Sequence, residues 1–203
     1  MKSYPTANPE DILLEIGSVK LGRFKLSSGR ESSIYVDLRV ATFKPSHFKA
    51  LLGMAASIVE GLGVDAIAGV ATGGIPWSTG IGIILSMPST YVRPREKGHG
   101  TSRRVEADVE GLRVAVIDDV ATTGSSLLGA IEALRLSGAT VEHAVVVVER
   151  GSEARRRLAR AGVRLYSITT LERIIDRLEE TGKYSPQLIR EARREVTGND
   201  MEG

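Results

Sequence analysis

The chain has 203 residues and a mass of 21.8 kDa, enough for one domain of ordinary size and too little for two. Hydrophobic residues make up 42% and charged residues 26%, a composition that can bury a sizeable core and excludes a disordered protein, a collagen-like repeat or a charge-dominated tail. Its 27 basic and 25 acidic side chains leave a net charge of +2, too balanced to imply a nucleic-acid partner, and its apolar runs stop short of the roughly 18 residues a membrane span needs.

In chain order, Asn8-Pro9-Glu10-Asp11 opens the first predicted helix, with a capping Asn, a Pro in the first turn and two acids against the positive helix end. This helix is expected to run to Val19. Residues 21–26 and 33–38 alternate apolar and polar around Ser27-Ser28-Gly29-Arg30, which predicts a hairpin or two short strands in an N-terminal hood spanning 1–45. Ser46 is expected to cap an amphipathic helix ending near Glu60. From Val64 onward β-rich runs at 65–70, 89–93, 113–118, 141–148 and 163–168 alternate with helical stretches at 75–86, 124–137 and 152–161. The run of four valines at 145–148 suits a strand buried on both faces. The expected fold class is α/β, a doubly wound, mainly parallel five-stranded sheet over 46–168 with a small N-terminal hood. Thr170 and Ser185-Pro186 then open two terminal helices within 169–203, all in a single domain. Residues 94–110 break the rhythm with three Arg, one Lys, two Gly and one His, and a polar loop of this length inside a small domain is expected to be a functional, mobile one.

Chemistry concentrates in Val114-Ala115-Val116-Ile117-Asp118-Asp119-Val120-Ala121-Thr122-Thr123-Gly124-Ser125-Ser126-Leu127. An apolar strand ends in two adjacent acids, and a turn of small residues opens the next helix, which is where open α/β sheets bind ligands. Exposed backbone N–H groups and a helix N-terminus suit a phosphate dianion, and the hydroxyls of Thr122, Thr123, Ser125 and Ser126 add donors. The acids cannot favourably touch that phosphate, so they are expected to face hydroxyls, a cation or a developing positive charge. On residue types alone the turn could equally be a capped, tightly packed helix start. It is no Walker A loop, since no Gly-Lys-Ser/Thr ends it.

The complete pattern resembles the signature by which type I phosphoribosyltransferases bind phosphoribosyl pyrophosphate (PRPP). Three further segments resemble the orotate phosphoribosyltransferases: Phe24-Lys25-Leu26-Ser27-Ser28-Gly29-Arg30-Glu31-Ser32-Ser33-Ile34-Tyr35-Val36-Asp37, similar to their hood segment; Arg93-Pro94-Arg95-Glu96-Lys97-Gly98-His99-Gly100, similar to their catalytic loop; and Glu149-Arg150-Gly151 at a strand end. The resemblance runs from Asp11 to Leu171, with the four segments in the family's order.

The resemblance implies the type I phosphoribosyltransferase fold and a set of roles. Asp118 and Asp119 would hold the ribose hydroxyls, and the backbone of Val120, Ala121, Thr122, Thr123, Gly124, Ser125 and Ser126 would cradle the 5′-phosphate. Arg93, Lys97 and His99 would meet the pyrophosphate as the catalytic cations, in a loop (94–110) shared across a homodimer. Thr122, Arg150 and Tyr35 would contact orotate. The chain departs from the family at Pro94, Ser27 and Gly73, where lysines are common, and Arg95 or Lys25 is expected to take over part of their charge. The segment Gly69 to Pro76 can still offer pyrophosphate a backbone cradle. The implied reaction converts PRPP and orotate to orotidine 5′-monophosphate and pyrophosphate.

The physical demands of that reaction match the residues. Breaking the bond from ribose C1 to pyrophosphate places positive charge on the sugar and negative charge on the leaving group, so the site needs cations, Mg²⁺ and exclusion of water. Mg²⁺ keeps several waters and prefers substrate phosphates, so it is expected to be held by the pyrophosphate and water with no dedicated protein cage. The lack of Cys removes thiolate chemistry, disulfides and Cys-based zinc, and three His leave little for a His-built site. A phosphoribosyltransferase for another base, or a non-catalytic PRPP- or nucleotide-sensing regulator, remains open, because the PRPP motif reports only the sugar phosphate.

Other features read as structural. Arg155-Arg156-Arg157 with Arg160 and Arg164 is expected to form a solvated helix face, with Glu153 pairing to Arg156 and Arg157. His47 and His143 lack metal-ligand spacing, and Trp77 is expected to pack its helix or a subunit contact. No secretory leader or membrane span is evident, so the protein is expected in the cytoplasm. Asn occurs only at Asn8 and Asn199 and Gln only at Gln187, a scarcity of thermolabile residues expected of a protein that works hot. An apparent melting temperature above about 60 °C checks this in a thermal scan. Replacing Lys97 by Ala should remove one charge-stabilising donor worth about 3–4 kcal/mol and lower kcat about a hundredfold or more, with circular dichroism unchanged.

Overall fold

A computed structural model describes residues 8–25, 31–95 and 104–198. Helix α1 (Pro9–Glu15) starts as its sequence demands: the Asn8 side chain accepts a 2.9 Å bond from the Glu10 N–H, with Glu10 and Asp11 in the first turn. It stops a turn short of Val19. Gly17 adopts φ +72°, a conformation glycine takes at no steric cost, and Val19 already begins strand β1 (Val19–Lys25). β1 pairs antiparallel with β2 (Glu31–Val36), placing Val19 opposite Val36 and Phe24 opposite Ser32. The expected hairpin is therefore present, each strand starting two residues earlier than its alternation suggested.

A 3₁₀ helix, Leu38–Phe43, capped by Asp37, leads into α2 (Pro45–Glu60). Ser46 does not cap α2. Pro45, whose φ is preset for helix, takes the first turn, and Ser46 lies inside the helix with Oγ 3.4 Å from His47 Nδ1.

The sheet follows with β3 (Ala66–Val70), α3 (Gly74–Leu85), β4 (Ser89–Val92), β5 (Arg113–Ala121), α4 (Ser125–Leu136), β6 (Thr140–Glu149), α5 (Glu153–Arg160) and β7 (Arg164–Thr170). The order is β4-β3-β5-β6-β7 and every pairing is parallel. Strand alternation divides the interior into two layers. Ile67, Ala115, Ile117, Val145 and Val147 face α1, α2, α3 and the terminal helices, while Ala66, Ala68, Val114, Val116, Ala144 and Val146 face α4 and α5. β5 runs three residues beyond its expected end, to Ala121, because Val120 and Ala121 still pair with Val148 and Glu149 of β6. The two acids thus stand within the strand's last turn of pleat and inherit its rigidity.

Helix α6 (Leu171–Thr181), capped by Thr170, buries Leu171, Ile174, Ile175 and Leu178. Helix α7 (Pro186–Gly198) buries Ile189, Ala192 and Val196 and packs on α6 and on the β1–β2 hairpin. The chain's two ends therefore form one layer over the same face of the sheet. Buried Glu10 adds to this closure: it accepts from Thr169 Oγ1 and pairs with Arg173 Nε at 3.1 Å.

The polar segment after β4 is only partly loop among the described residues. The Arg93 N–H donates to the Arg104 carbonyl at 2.8 Å, Val92 bridges Val105, and Val105 and Val109 are buried. Residues 104–110 are accordingly anchored to the edge strand.

Candidate active site

The carboxyl ends of β3, β5 and β6 meet at one edge of the sheet, where Asp118, Asp119, the turn 122–126 and the Arg150 backbone lie together. Asp118 is 7% exposed and its Oδ1 accepts from the Asp119 N–H at 2.9 Å; Asp119 Oδ1 accepts from the Val120 N–H at 2.8 Å. The turn between β3 and α3 presses against them. A Cβ at position 73 would lie 2.6 Å from Asp119 Oδ2, and one at position 74 would lie 2.3 Å from the Ile117 carbonyl oxygen. Gly73, which stands where family members often have Lys, is thus a fitted glycine here, since a side chain would displace the acid. The Ala71–Thr72 peptide in this turn is cis.

After β5 the chain turns through Thr122 and Thr123 to Gly124, the N-cap of α4, at φ +75°. A Cβ at Gly124 would also come within 2.9 Å of Leu158 Cδ1 and 3.2 Å of Ala154 Cα, so α5 packs directly on the turn. No side chain caps α4 at this position, which leaves its N-terminus to an external anion. Thr123 Oγ1 and Ser125 Oγ are 3.0 Å apart. Arg157 of α5 braces the turn, with Nη1 donating to the Thr123 carbonyl at 2.9 Å and to Ser125 Oγ at 3.0 Å.

A cavity of about 320 Å³ lies beside this turn, lined by Val70, Ala71, Val92, Arg93, Pro94, Arg104, Ser125, Ser126, Gly129 and Ala130. It brings Arg93 to the same wall as Ser125 and Ser126. Arg93 Nε is bonded to Glu106, its Nη2 reaches the Tyr91 hydroxyl at 3.4 Å, and Arg104 Nε donates to the Arg93 carbonyl at 3.0 Å. Lys97 and His99, like Ser27, lie outside the described residues, and so does the Lys25 side chain. Arg95 is exposed.

Arg150 follows β6, and its N–H donates to the Ala121 carbonyl at 2.8 Å, next to exposed Thr122. Its guanidinium turns toward the hood: Nη2 donates to Glu195 Oε1 at 2.5 Å and to Ser32 Oγ at 3.4 Å. Tyr35 lies in β2 on Ser33's side of the strand, its ring 5.4 Å from Phe24 and its hydroxyl 3.3 Å from Arg39. Among the described residues no group of three His, Cys, Asp or Glu could hold a metal ion, and no helix is long and apolar enough to cross a membrane.

Residues 44–165 match the model of the phosphoribosyl transferase domain. The orotate phosphoribosyltransferase of Pyrobaculum aerophilum is 46% identical over 168 residues, covering 82% of this chain and 87% of that protein, and that of Sulfolobus acidocaldarius is 43% identical over 166 residues, covering 82% and 84%. The chain belongs to the orotate phosphoribosyltransferase family. A crystal structure of the Aeropyrum pernix family member superposes with a TM-score of 0.76 at 44% identity, over 84% of this chain and 97% of that one. A Mycobacterium tuberculosis family member solved with PRPP has a TM-score of 0.67 at 26% identity, over 83% and 99%.

Against this family frame, several residues outside the expected set turn out to hold the site. Arg157, read as a solvated cation, also braces the β5–α4 turn and pairs with Glu153 at 3.6 Å. Arg156 does not pair with Glu153 as expected; it bonds Ser152, one helical turn earlier. Arg155 clamps buried Glu149 and donates to the Leu165 carbonyl at 2.8 Å, while Arg155, Arg160 and Arg164 remain exposed, as expected of a solvated face. Glu106, Arg104 and Glu195 carried no local signal: each is an ordinary surface residue type whose partner lies far along the chain or across a loop. His47 pairs with Glu15 at 3.2 Å, and Trp77 is buried edge-on to Phe48 at 4.9 Å, both structural roles as expected.

Burial and the negative charge of Asp119 push the Asp118 carboxyl well above the usual carboxylate range. A carboxyl with a higher pKa folded than unfolded costs stability once ionised: the penalty is absent below its unfolded value of about 3.9 and complete above the raised folded value. Asp118→Asn should therefore melt higher than wild type at pH 7, by about 2–4 °C per kcal/mol relieved, and this advantage should shrink toward pH 4. The same variant should lose about ten- to a hundredfold in kcat/KM, the cost of a hydrogen bond to a charged group. Thermal scans at both pH values and steady-state kinetics check the pair of effects.

Proposed function

We infer that the protein transfers the phosphoribosyl group of PRPP to orotate, forming orotidine 5′-monophosphate and pyrophosphate in pyrimidine (UMP) biosynthesis. One observation carries the assignment of residues: the acid pair Asp118–Asp119, the Thr122–Ser126 turn and the Arg150 backbone are joined at the ends of two neighbouring strands. In this reading the turn and the α4 N-terminus hold the 5′-phosphate, with Arg157 fixing the turn's shape. Asp118 and Asp119 accept from the ribose hydroxyls and sit close to the carbon that becomes positive. The bond from C1 to the pyrophosphate oxygen breaks, the electron pair leaves with pyrophosphate, and orotate N1 bonds to C1 as its proton departs.

Arg93, Lys97 and His99 take the pyrophosphate, with the Ala71–Gly74 turn offering backbone where side chains cannot fit. The donor set suits Mg²⁺ carried by the pyrophosphate and water, since the acids are only two and one is buried; bound there, the ion would neutralise leaving-group charge. Thr122, Arg150 and Tyr35 face the base, Arg150 offering its guanidinium to the orotate carboxylate or ring oxygens. The partner in this reading is a second copy of the chain, with loop 94–110 shared across the interface; Phe43 and Ile83, large and exposed, are apolar surface that a copy could cover. Phosphorylated substrates that do not cross membranes fit a cytoplasmic enzyme.

The test is a purified-protein assay with PRPP and Mg²⁺, following loss of orotate absorbance, with uracil, hypoxanthine and adenine offered in parallel. Orotate should be consumed and the other bases spared. Consumption of a different base would reassign the substrate, and PRPP binding with no base consumed would reduce the protein to a sensor.

A further inference from the structure

We propose that Glu195, on the C-terminal helix α7, is a positioning residue of the base pocket, fixing the Arg150 guanidinium against the hood so that its remaining N–H groups meet the base. Four hydrogen bonds converge on this one carboxylate. Oε1 accepts from Arg150 Nη2 and from Ser32 Oγ, each at 2.5 Å; Oε2 accepts from the Ser33 N–H and from Ser33 Oγ, each at 2.7 Å. Three pieces of chain are thereby joined: the end of β6, the start of β2 and α7. Hydrophobic burial of Ala192 and Val196, on either side of Glu195 in α7, fixes where the carboxylate stands. The Arg150 and Glu195 side chains are only 13% and 24% exposed, so the pair is largely withdrawn from water and neither charge could stay there alone.

The arrangement is also unfinished. Arg150 Nε is buried without a hydrogen-bond partner among the described residues. A buried donor without a partner is rare. Glu195 engages Nη2 and leaves Nε over, so an oxygen of an anionic pyrimidine would complete the set where the packing around Nε opens to admit it. Because Ser33 and Tyr35 share one side of β2, the same carboxylate also holds the strand that carries the ring expected beside the pyrimidine.

The inference rests on the reading of Arg150 as a base-contacting residue, and the experiment separates the two. Glu195→Gln keeps the shape but loses the charge and turns an NH2 donor toward groups that are themselves donors. It should raise the KM for orotate about tenfold while the KM for PRPP stays near wild type. Ser33→Ala, a gentler release of the same carboxylate, should raise it about two- to threefold, and Glu195→Gln should add little in an Arg150→Ala background. An equal rise in both KM values, or an orotate KM that stays level or falls in Glu195→Gln, would overturn the positioning role. If Arg150→Ala itself leaves the orotate KM unchanged, the reading of Arg150 fails; if it raises that KM and Glu195→Gln does not, only the inference fails.

Discussion

The close approach of the β3–α3 turn to the end of β5 is the constraint on which the rest of the site depends. With no side chain at 73 or 74, the turn's backbone lies against Ile117 and Asp119, and the acids are pinned between it and the first residues of the β5–α4 turn. Parallel pairing of β5 to both β3 and β6 keeps these pieces in register, so the position of the backbone around the acids is fixed by the sheet. Preorganisation of this kind is what makes fixed dipoles effective against charge that develops only in the transition state.

Electrostatically, three arginines around the cleft already have partners. Arg93 is held by Glu106, Arg150 by Glu195 and Arg157 by Glu153. A partly buried arginine without a counter-charge is costly, and a carboxylate near its side orients its fork without consuming all of its donors. Against these stands Asp118, which carries an unfavourable negative charge in a buried place beside a second acid. The near-neutral total of the chain is the sum of such local pairings, and it hides a site that is strongly polarised.

The hood and the C-terminal helices form one structural unit although residues 46–168 separate them along the chain. α7 packs on the β1–β2 hairpin, Glu195 reaches Ser32 and Ser33, and Arg177 of α6 bonds Asp11 of α1 at 2.5 Å. Any shift of the hood would therefore carry or release α7 at the end of the chain.

Much of the fold and the heart of the site were legible in the amino-acid order because both are local. The apolar runs at 114–117 and 145–148, the alternation of strands with helices, and the strand–acid–acid–turn–helix motif at 114–127 each lie within a dozen or so neighbours, where chain geometry alone dictates the outcome. What escaped was set by contacts between distant segments. β5 outran its expected end because β6 offered it partners; α1 stopped early because Val19 was claimed by Val36; and Arg157 became a brace because α5 lands on Gly124. The sequence by itself determined a doubly wound α/β domain with a small-residue turn and two acids at the end of a strand. Only the tertiary structure decided which carboxylate holds each arginine, since a charge selects its partner through space, over a few ångströms that no spacing along the chain encodes.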